Sequence, residues 1–321
     1  MKVNADIELK QLTLENQHVR LQMLPEVGSK ITSLLYVPDN REFLFQPPAP
    51  SQPYRIPGYG AQFKDFDNSG FDECLPTVGA CRYPGKAFRA DLPDHGEVWS
   101  IPWDWDTSGD RVQLRCRCRQ VPLIFSKEIR LQRDSVLISY KVENTSEDEV
   151  DYLWSSHPLL AINPGDRVMI PPEVNELFID QSHTGRLGGF ADRTSWPLTV
   201  ARNGAAADLS SLLPPNANTA EKYFTPRLSQ GWCALYSPST SHSMTFRFDP
   251  KLIPFVGMWI NQGGWPTDSA FKHYTVALEP CSGAPDSLEK AVEFKQASVL
   301  AGKQTQSWEL EIQLRPGPPK I

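Results

Sequence analysis

Long hydrophobic runs are missing from this sequence. No stretch approaches the ~18 consecutive apolar residues that a membrane-spanning helix needs, and the opening MKVNADIELKQLTL lacks the apolar segment of a secretory signal. A cytoplasmic location and no membrane partner are therefore expected. Basic surface is scarce as well: 32 Lys and Arg against 38 Asp and Glu give a formal charge of -6. A nucleic-acid partner needs concentrated positive charge to displace counterions, so a neutral or cationic small molecule fits better. Six cysteines in 321 residues are too sparse for a disulfide scaffold. Cys116 and Cys118, two apart in VQLRCRCRQ, share one face of a strand and have no second Cys/His pair at zinc spacing. They read as buried small hydrophobes, and no metal is expected. Asn144-Thr145-Ser146 matches a glycosylation sequon, but with no signal segment it reads as a turn.

Helix signals are few. The best is DSLEKAVEFKQ (286–296), with Asp286 placed to cap, Glu289 completing a capping box, and Leu288, Ala291 and Val292 forming the buried stripe. Strand signals, by contrast, run from end to end. VQLRCRC, VLISYKVEN, SMTFRFD and SWELEIQL alternate apolar and polar residues, and Trp308, Leu310, Ile312 and Leu314 share one face. Turn clusters such as SGD (108–110), ENTSEDE (143–149) and NPGD (163–166) separate them, and the 29 prolines are scattered through the connections instead of marking a linker. The pattern predicts an all-β fold, a large two-sheet sandwich with few short helices, as a single domain over residues 1–321. Long loops over 46–63, 79–95, 180–196 and 203–226 are the natural carriers of a site.

Nine tryptophans stand in the chain, and an indole face stacks well on the C–H face of a pyranose. Core packing accounts for most of them, Trp103 and Trp105 included. Trp99 and Trp259 neighbour polar clusters and are candidate sugar contacts. Of the six histidines, His18, His183, His242 and His273 sit where local hydrogen bonding suffices. His95 opens a strand after a long loop, in LPDHGEVW, and His157 ends an apolar run, in YLWSSHPLL. Glu279 follows the apolar YTVAL and precedes Pro280, so alternation can turn its carboxylate inward at the end of a buried strand. Burying a carboxylate is costly, which marks the position for a task or for a compensating partner. Asp72 and Glu73, in FDECLP, fit either acceptors for sugar hydroxyls or a turn network.

DHGEVW, then SSHPLLAI about sixty residues on, then VALEPCSG, with the earlier SGFDECLPTV (69–78), resembles the aldose 1-epimerase, or galactose mutarotase-like, family along nearly the whole chain. The resemblance implies a β-supersandwich with an open sugar cleft on one sheet and no cofactor. It implies that His95 contacts the ring-oxygen side of the sugar, that His157 is the general acid and that Glu279 is the general base. The setting of the second histidine departs from the family pattern: Ser156 precedes it and Pro158-Leu159 follows, in place of an asparagine and an aromatic pair. The family's sugar-binding arginine and aspartate have no evident counterparts, which leaves the identity of the sugar open.

The chemistry of the residues agrees. Interconverting α and β anomers requires one group to take the C1-hydroxyl proton and another to protonate the ring oxygen, and a carboxylate with an imidazolium supplies both. The expected partner is a monosaccharide or a sugar phosphate, a phosphate requiring Arg55, Arg82 or Arg89 to gather at the cleft rim. Two other readings are a glycoside hydrolase or lyase pairing Asp72 or Glu73 with Glu279, and a carbohydrate-binding sandwich that needs no acid/base pair.

Overall fold

The computed structural model describes residues 9–47 and 54–321. Two large antiparallel sheets face one another. One has 11 strands, in the spatial order Leu12–Glu15, Val19–Leu24, Lys30–Tyr36, Phe71–Cys74, Ser155–Ala161, Tyr274–Cys281, Phe255–Gln262, Thr219–Phe224, Glu176–Ser182 and Arg193–Ser195, with Arg41–Glu42 on the flank of Lys30–Tyr36. The other has 8, in the order Arg167–Met169, Trp232–Ser237, His242–Phe248, Thr305–Pro316, Ser135–Asn144, Leu123–Gln132, Arg111–Arg117 and Asp104–Ser108. The fold is the all-β sandwich that the alternation predicts.

The two sheets differ in how their sequence reads. Outer strands of the 8-stranded sheet bury one face only, so Arg111–Arg117 alternates strictly between exposed and buried residues and places Cys116 inside, whereas Trp232–Ser237 and His242–Phe248 are buried almost throughout. Trp308, Leu310, Ile312 and Leu314 are buried on one face of Thr305–Pro316. The central strands of the 11-stranded sheet are covered on both faces, by the other sheet and by long loops, so Thr219–Phe224 and Ser155–Ala161 are buried almost throughout. Double burial erases the period-2 signal. That is why the expected loop over 203–226 contains the strand Thr219–Phe224: TAEKYF buries Thr219, Glu221 and Lys222 as fully as Tyr223 and Phe224.

Between the sheets, Glu73 crosses the core. Its Oε1 accepts from Lys127 Nζ at 3.0 Å and Tyr140 Oη at 2.9 Å, and its Oε2 from Trp154 Nε1 at 2.9 Å. The six cysteines are free, as expected from their sparseness. The short helix forms over Leu288–Glu293 and buries Leu288 and Ala291, but its N-cap is Ser287, with no side-chain cap, and Asp286 is turned to another use. Trp105, expected in the core, is 40% exposed on the edge strand Asp104–Ser108, where no further strand covers it. Among the described residues no helix is long and apolar enough to cross a membrane.

Candidate functional site

Sheet register assembles the centre of the site. His157 pairs with Asp72 across one neighbouring strand. On the other side, pairing of Ser155 with Cys281 and of Leu159 with Ala277 sets His157 opposite Glu279, and Glu279 in turn pairs with Gly257. Residues in one rung point to one face, so Asp72, His157 and Glu279 share the loop-covered face while Glu73 points into the core. His157 Nε2 and Glu279 Oε1 are 3.9 Å apart. Two residues along and so on the same face, Lys222 pairs with Trp259, and Gly257, having no side chain, leaves a slot through which the Lys222 ammonium reaches Glu279 Oε2.

His95 arrives differently, from a loop. It has φ of 58° and Gly96 has φ of 72°, and a Cβ on Gly96 would fall 2.4 Å from the Leu75 carbonyl oxygen, so the DHG turn requires glycine. The His95 N–H donates to the Val78 carbonyl at 2.7 Å. Its Nδ1 lies 2.9 Å from Asp94 Oδ1, and Asp94 Oδ2 accepts from the Phe63 N–H at 2.9 Å. The Phe63 ring stacks on the imidazole at a centroid distance of 4.0 Å and an angle of 9°. The His95 and His157 rings then meet edge to face at 5.0 Å. Glu97, two residues on, is structural: its carboxylate accepts from Tyr59 Oη and from the backbone N–H groups of Arg119, Gln120 and Val121.

Over these groups lies a cavity of about 230 Å³, walled by Phe63, His95, His157, Lys222, Trp259, Trp265, His273 and Asp286 among others. Trp259 and Trp265 stand edge to face at 6.0 Å. Of the sequence-predicted residues, the structure brings His95, His157 and Trp259 to the cavity wall, with Glu279 directly behind His157 and Lys222. Asp72 shares their face but is fully buried, its Oδ2 held by Lys30 Nζ at 2.7 Å. Trp99 lies beneath the loop, 2% exposed, its Nε1 donating to the Asp94 carbonyl and its ring packed on Phe63 and Phe66. It props the loop that carries His95 and Phe63 and does not line the cavity. Glu73 is on the far face. None of the three arginines considered for a phosphate reaches the cavity: Arg55 donates to the Asp65 carbonyl and covers Phe66, and Arg82 and Arg89 are exposed.

Three wall residues with a part in the site, Asp286, Lys222 and Phe63, escape the sequence reading. Asp286 was assigned to a helix cap; instead its Oδ1 sits 3.2 Å from Lys222 Nζ, while its backbone carbonyl accepts from the N–H groups of Val78 and Gly79. Lys222 hides in the segment taken for a loop, although a lysine between Glu221 and two aromatics is the same costly-burial signal that singles out Glu279. Phe63 gives no signal, being one aromatic among many in a loop. The adjacency of Asp94 to His95 is visible in sequence and is what makes the imidazole's partner local.

The electrostatics follow from burial. Desolvation drives His157 well below the usual imidazole range, and the charges of His95, Lys222 and Lys30 push the same way. Desolvation drives the Glu279 carboxyl up; Lys222 pulls it back and Asp286 adds to the rise. The proton affinities of the two groups are thus brought toward one another. Asp180, at a bulge in the strand Glu176–Ser182, is pushed up to about 7 by burial and by Asp286. Asp94 is held below the usual carboxyl range because hydrogen bonds from His95 and the Phe63 backbone outweigh its burial. His273 is lowered to about 4 by burial alone. The arrangement offers a proton acceptor, a proton donor and a second imidazole around one small volume, with aromatic faces opposite. Among the described residues no cluster of three or more His, Cys, Asp or Glu is disposed to hold a metal.

No protein-family model and no curated protein matches the sequence. Solved structures do match the fold. The Slr1438 protein of Synechocystis sp. PCC 6803 superposes with a TM-score of 0.71 at 16% identity, over 97% of each chain. A putative aldose 1-epimerase from Escherichia coli K12 gives 0.70 at 15% identity, over 96% of this chain and 100% of that one. A galactose mutarotase related enzyme from Lactobacillus acidophilus gives 0.70 at 14% identity, over 97% and 99%. The chain has the galactose mutarotase-like fold.

Proposed function

We propose that this protein is an aldose 1-epimerase, interconverting the α and β anomers of a monosaccharide. The observation that carries the reading is the facing pair in one sheet rung: Glu279 Oε1 and His157 Nε2, 3.9 Å apart, with His95 edge-on to His157 at the base of an aromatic-walled cavity. Glu279 takes the proton of the C1 hydroxyl as His157 protonates the ring oxygen. The bond from C1 to the ring oxygen breaks, a carbonyl forms at C1, the open chain turns about C1–C2, and ring closure returns both protons by the same groups. His95, its Nδ1 committed to Asp94, offers Nε2 to the sugar. The Trp259 and Trp265 faces take the apolar face of the ring.

The same geometry weakens the carboxylate-pair hydrolase. Glu73 lies on the opposite face of the sheet from Glu279 and points into the core, so those two carboxylates cannot flank one sugar. It also favours a neutral sugar over a phosphorylated one, since the wall's cations, Lys64 and Lys222, are each paired with a carboxylate. Polarimetry or one-dimensional NMR on freshly dissolved α-anomers of hexoses and pentoses tests the reading. The protein accelerates mutarotation, and Glu279→Gln or His157→Asn lowers the rate by on the order of 10²–10⁴. Full activity in both variants refutes the mechanism. Binding without turnover on any sugar in the panel means a carbohydrate-binding module instead.

A further inference from the structure

The two oxygens of Glu279 are not equivalent. Oε2 accepts from Lys222 Nζ and, at 3.4 Å, from Ser155 Oγ, whereas Oε1 has no hydrogen-bond partner in the structure and is the oxygen nearer His157. Lys222 does not sit on Glu279 alone: its ammonium also lies 3.2 Å from Asp286 Oδ1 and 5.3 Å over the Phe224 ring. The lysine side chain is 4% exposed and Glu279 is fully buried. Burying such a pair costs several kcal/mol of desolvation per ion before any attraction is counted. The slot that admits the ammonium exists only because residue 257 is glycine, where an added Cβ would lie 3.1 Å from both Glu279 Oε2 and the Phe224 ring.

We propose that Lys222 is the positioning residue of this site: with the Asp286 carboxylate ion-paired on its other side, it clamps Glu279 Oε2 and so leaves Oε1 as the carboxylate's one unpartnered oxygen, turned toward His157. The proposal rests on the epimerase reading for what Oε1 does, but the clamp itself is a property of the protein without substrate. Lys222 is not a nucleophile here, since an ammonium shared by two carboxylates does not release its proton; burial lowers its proton affinity, yet the charges of Asp286 and Glu279 raise it overall. Three carboxyl groups, those of Glu279, Asp286 and Asp180, act on this one cation, so changing any of them changes the clamp. His95, His157, Lys30, Cys74 and Cys281 are further titratable groups facing this cluster.

The test uses the whole protein labelled with glutamate carrying ¹³C at the side-chain carboxyl, the Glu279 resonance being identified by its loss in Glu279→Gln. Two substitutions move its titration in opposite directions. Lys222→Met removes the cation and raises the titration midpoint by one unit or more. Asp286→Asn keeps the cation, removes a competing anion, and lowers the midpoint. Lys222→Arg restores most of the wild-type midpoint. Each variant is checked for folding by circular dichroism, and if Lys222→Met does not fold, the Asp286→Asn arm still decides. An unmoved midpoint in folded Lys222→Met, or in folded Asp286→Asn, overturns the proposal. Kinetics separate the two claims. If the clamp serves epimerisation, Lys222→Met lowers kcat by about 10²-fold, the scale of a misplaced reacting group, shifts the acid limb of the pH profile upward, and leaves KM nearly unchanged. If the titrations move as stated but no sugar is turned over by the wild type, the clamp stands and the epimerase reading fails.

Discussion

At the scale of single residues, the proposed reading separates proton transfer from contact with the sugar: it gives protons to Glu279 and His157 and shape to Trp259, which stands 85° from Trp265 across the wall. Trp259→Ala is therefore expected to raise KM roughly tenfold with a smaller change in kcat, because a stacking face binds ground and transition states alike; steady-state mutarotation kinetics check this. His273 makes a second expectation, for stability. Burial lowers its folded-state value to about 4, below the ordinary imidazole value near 6.5. A depressed folded value means that the unfolded chain binds the extra proton first, so stability is full above about pH 6.5 and is lost as pH falls toward 4. Thermal melts across that window should show the wild type losing ground to His273→Gln as the solution is acidified, with the two converging in pH dependence above neutrality.

At the scale of strands and loops, the question is what the sequence could reveal about position. His95, His157 and Glu279 stand out in the sequence because each sits in a distinctive motif, although His95, expected to open a strand, lies in a turn and the other two lie within central strands. Lys222 does not, because TAEKYF is buried on both faces and carries no alternation, and Asp286 does not, because an acid three residues before a glutamate satisfies the capping-box pattern equally well. Four strands of the 8-stranded sheet, Arg111–Arg117, Ser135–Asn144, His242–Phe248 and Thr305–Pro316, are readable from alternation; the central strands of the 11-stranded sheet needed the fold itself. Register then explains a glycine that sequence alone cannot. Gly257 faces Glu279 across the ladder, and its negative-φ backbone accepts any residue, so only the space matters. Gly257→Ala should fold, shift the Glu279 carboxyl by a few tenths of an ångström, and cost roughly tenfold in kcat, less than the 10² that a full ångström of misplacement brings. Side-by-side melting curves and rates would show activity falling without a matching fall in stability.

At the scale of the whole molecule, the two sheets are joined under the site by a polar knot as well as by apolar packing. Glu73 and Lys127 are both fully buried, and Tyr140 and Trp154 complete the carboxylate's partners. Removing one member of such a pair strands a charge, so Glu73→Leu should cost roughly 3–5 kcal/mol in denaturant unfolding, and the double variant Glu73→Leu with Lys127→Met should cost less than the single change. The loop bearing His95 is supported otherwise, by stacking on Phe63, by the ring of Trp99 and by the glycine turn at Gly96. On the proposed reading, the proton-transfer pair and the His95 contact thus hang from different kinds of backbone, one a paired ladder, the other a loop. Exchanging Gln62 and Lys64 while keeping Phe63 on His95 and Phe66 on Trp99 would, on that reading, retune which sugar is admitted without touching Glu279 or His157, which makes this molecule a ready chassis for altering choice without rebuilding chemistry.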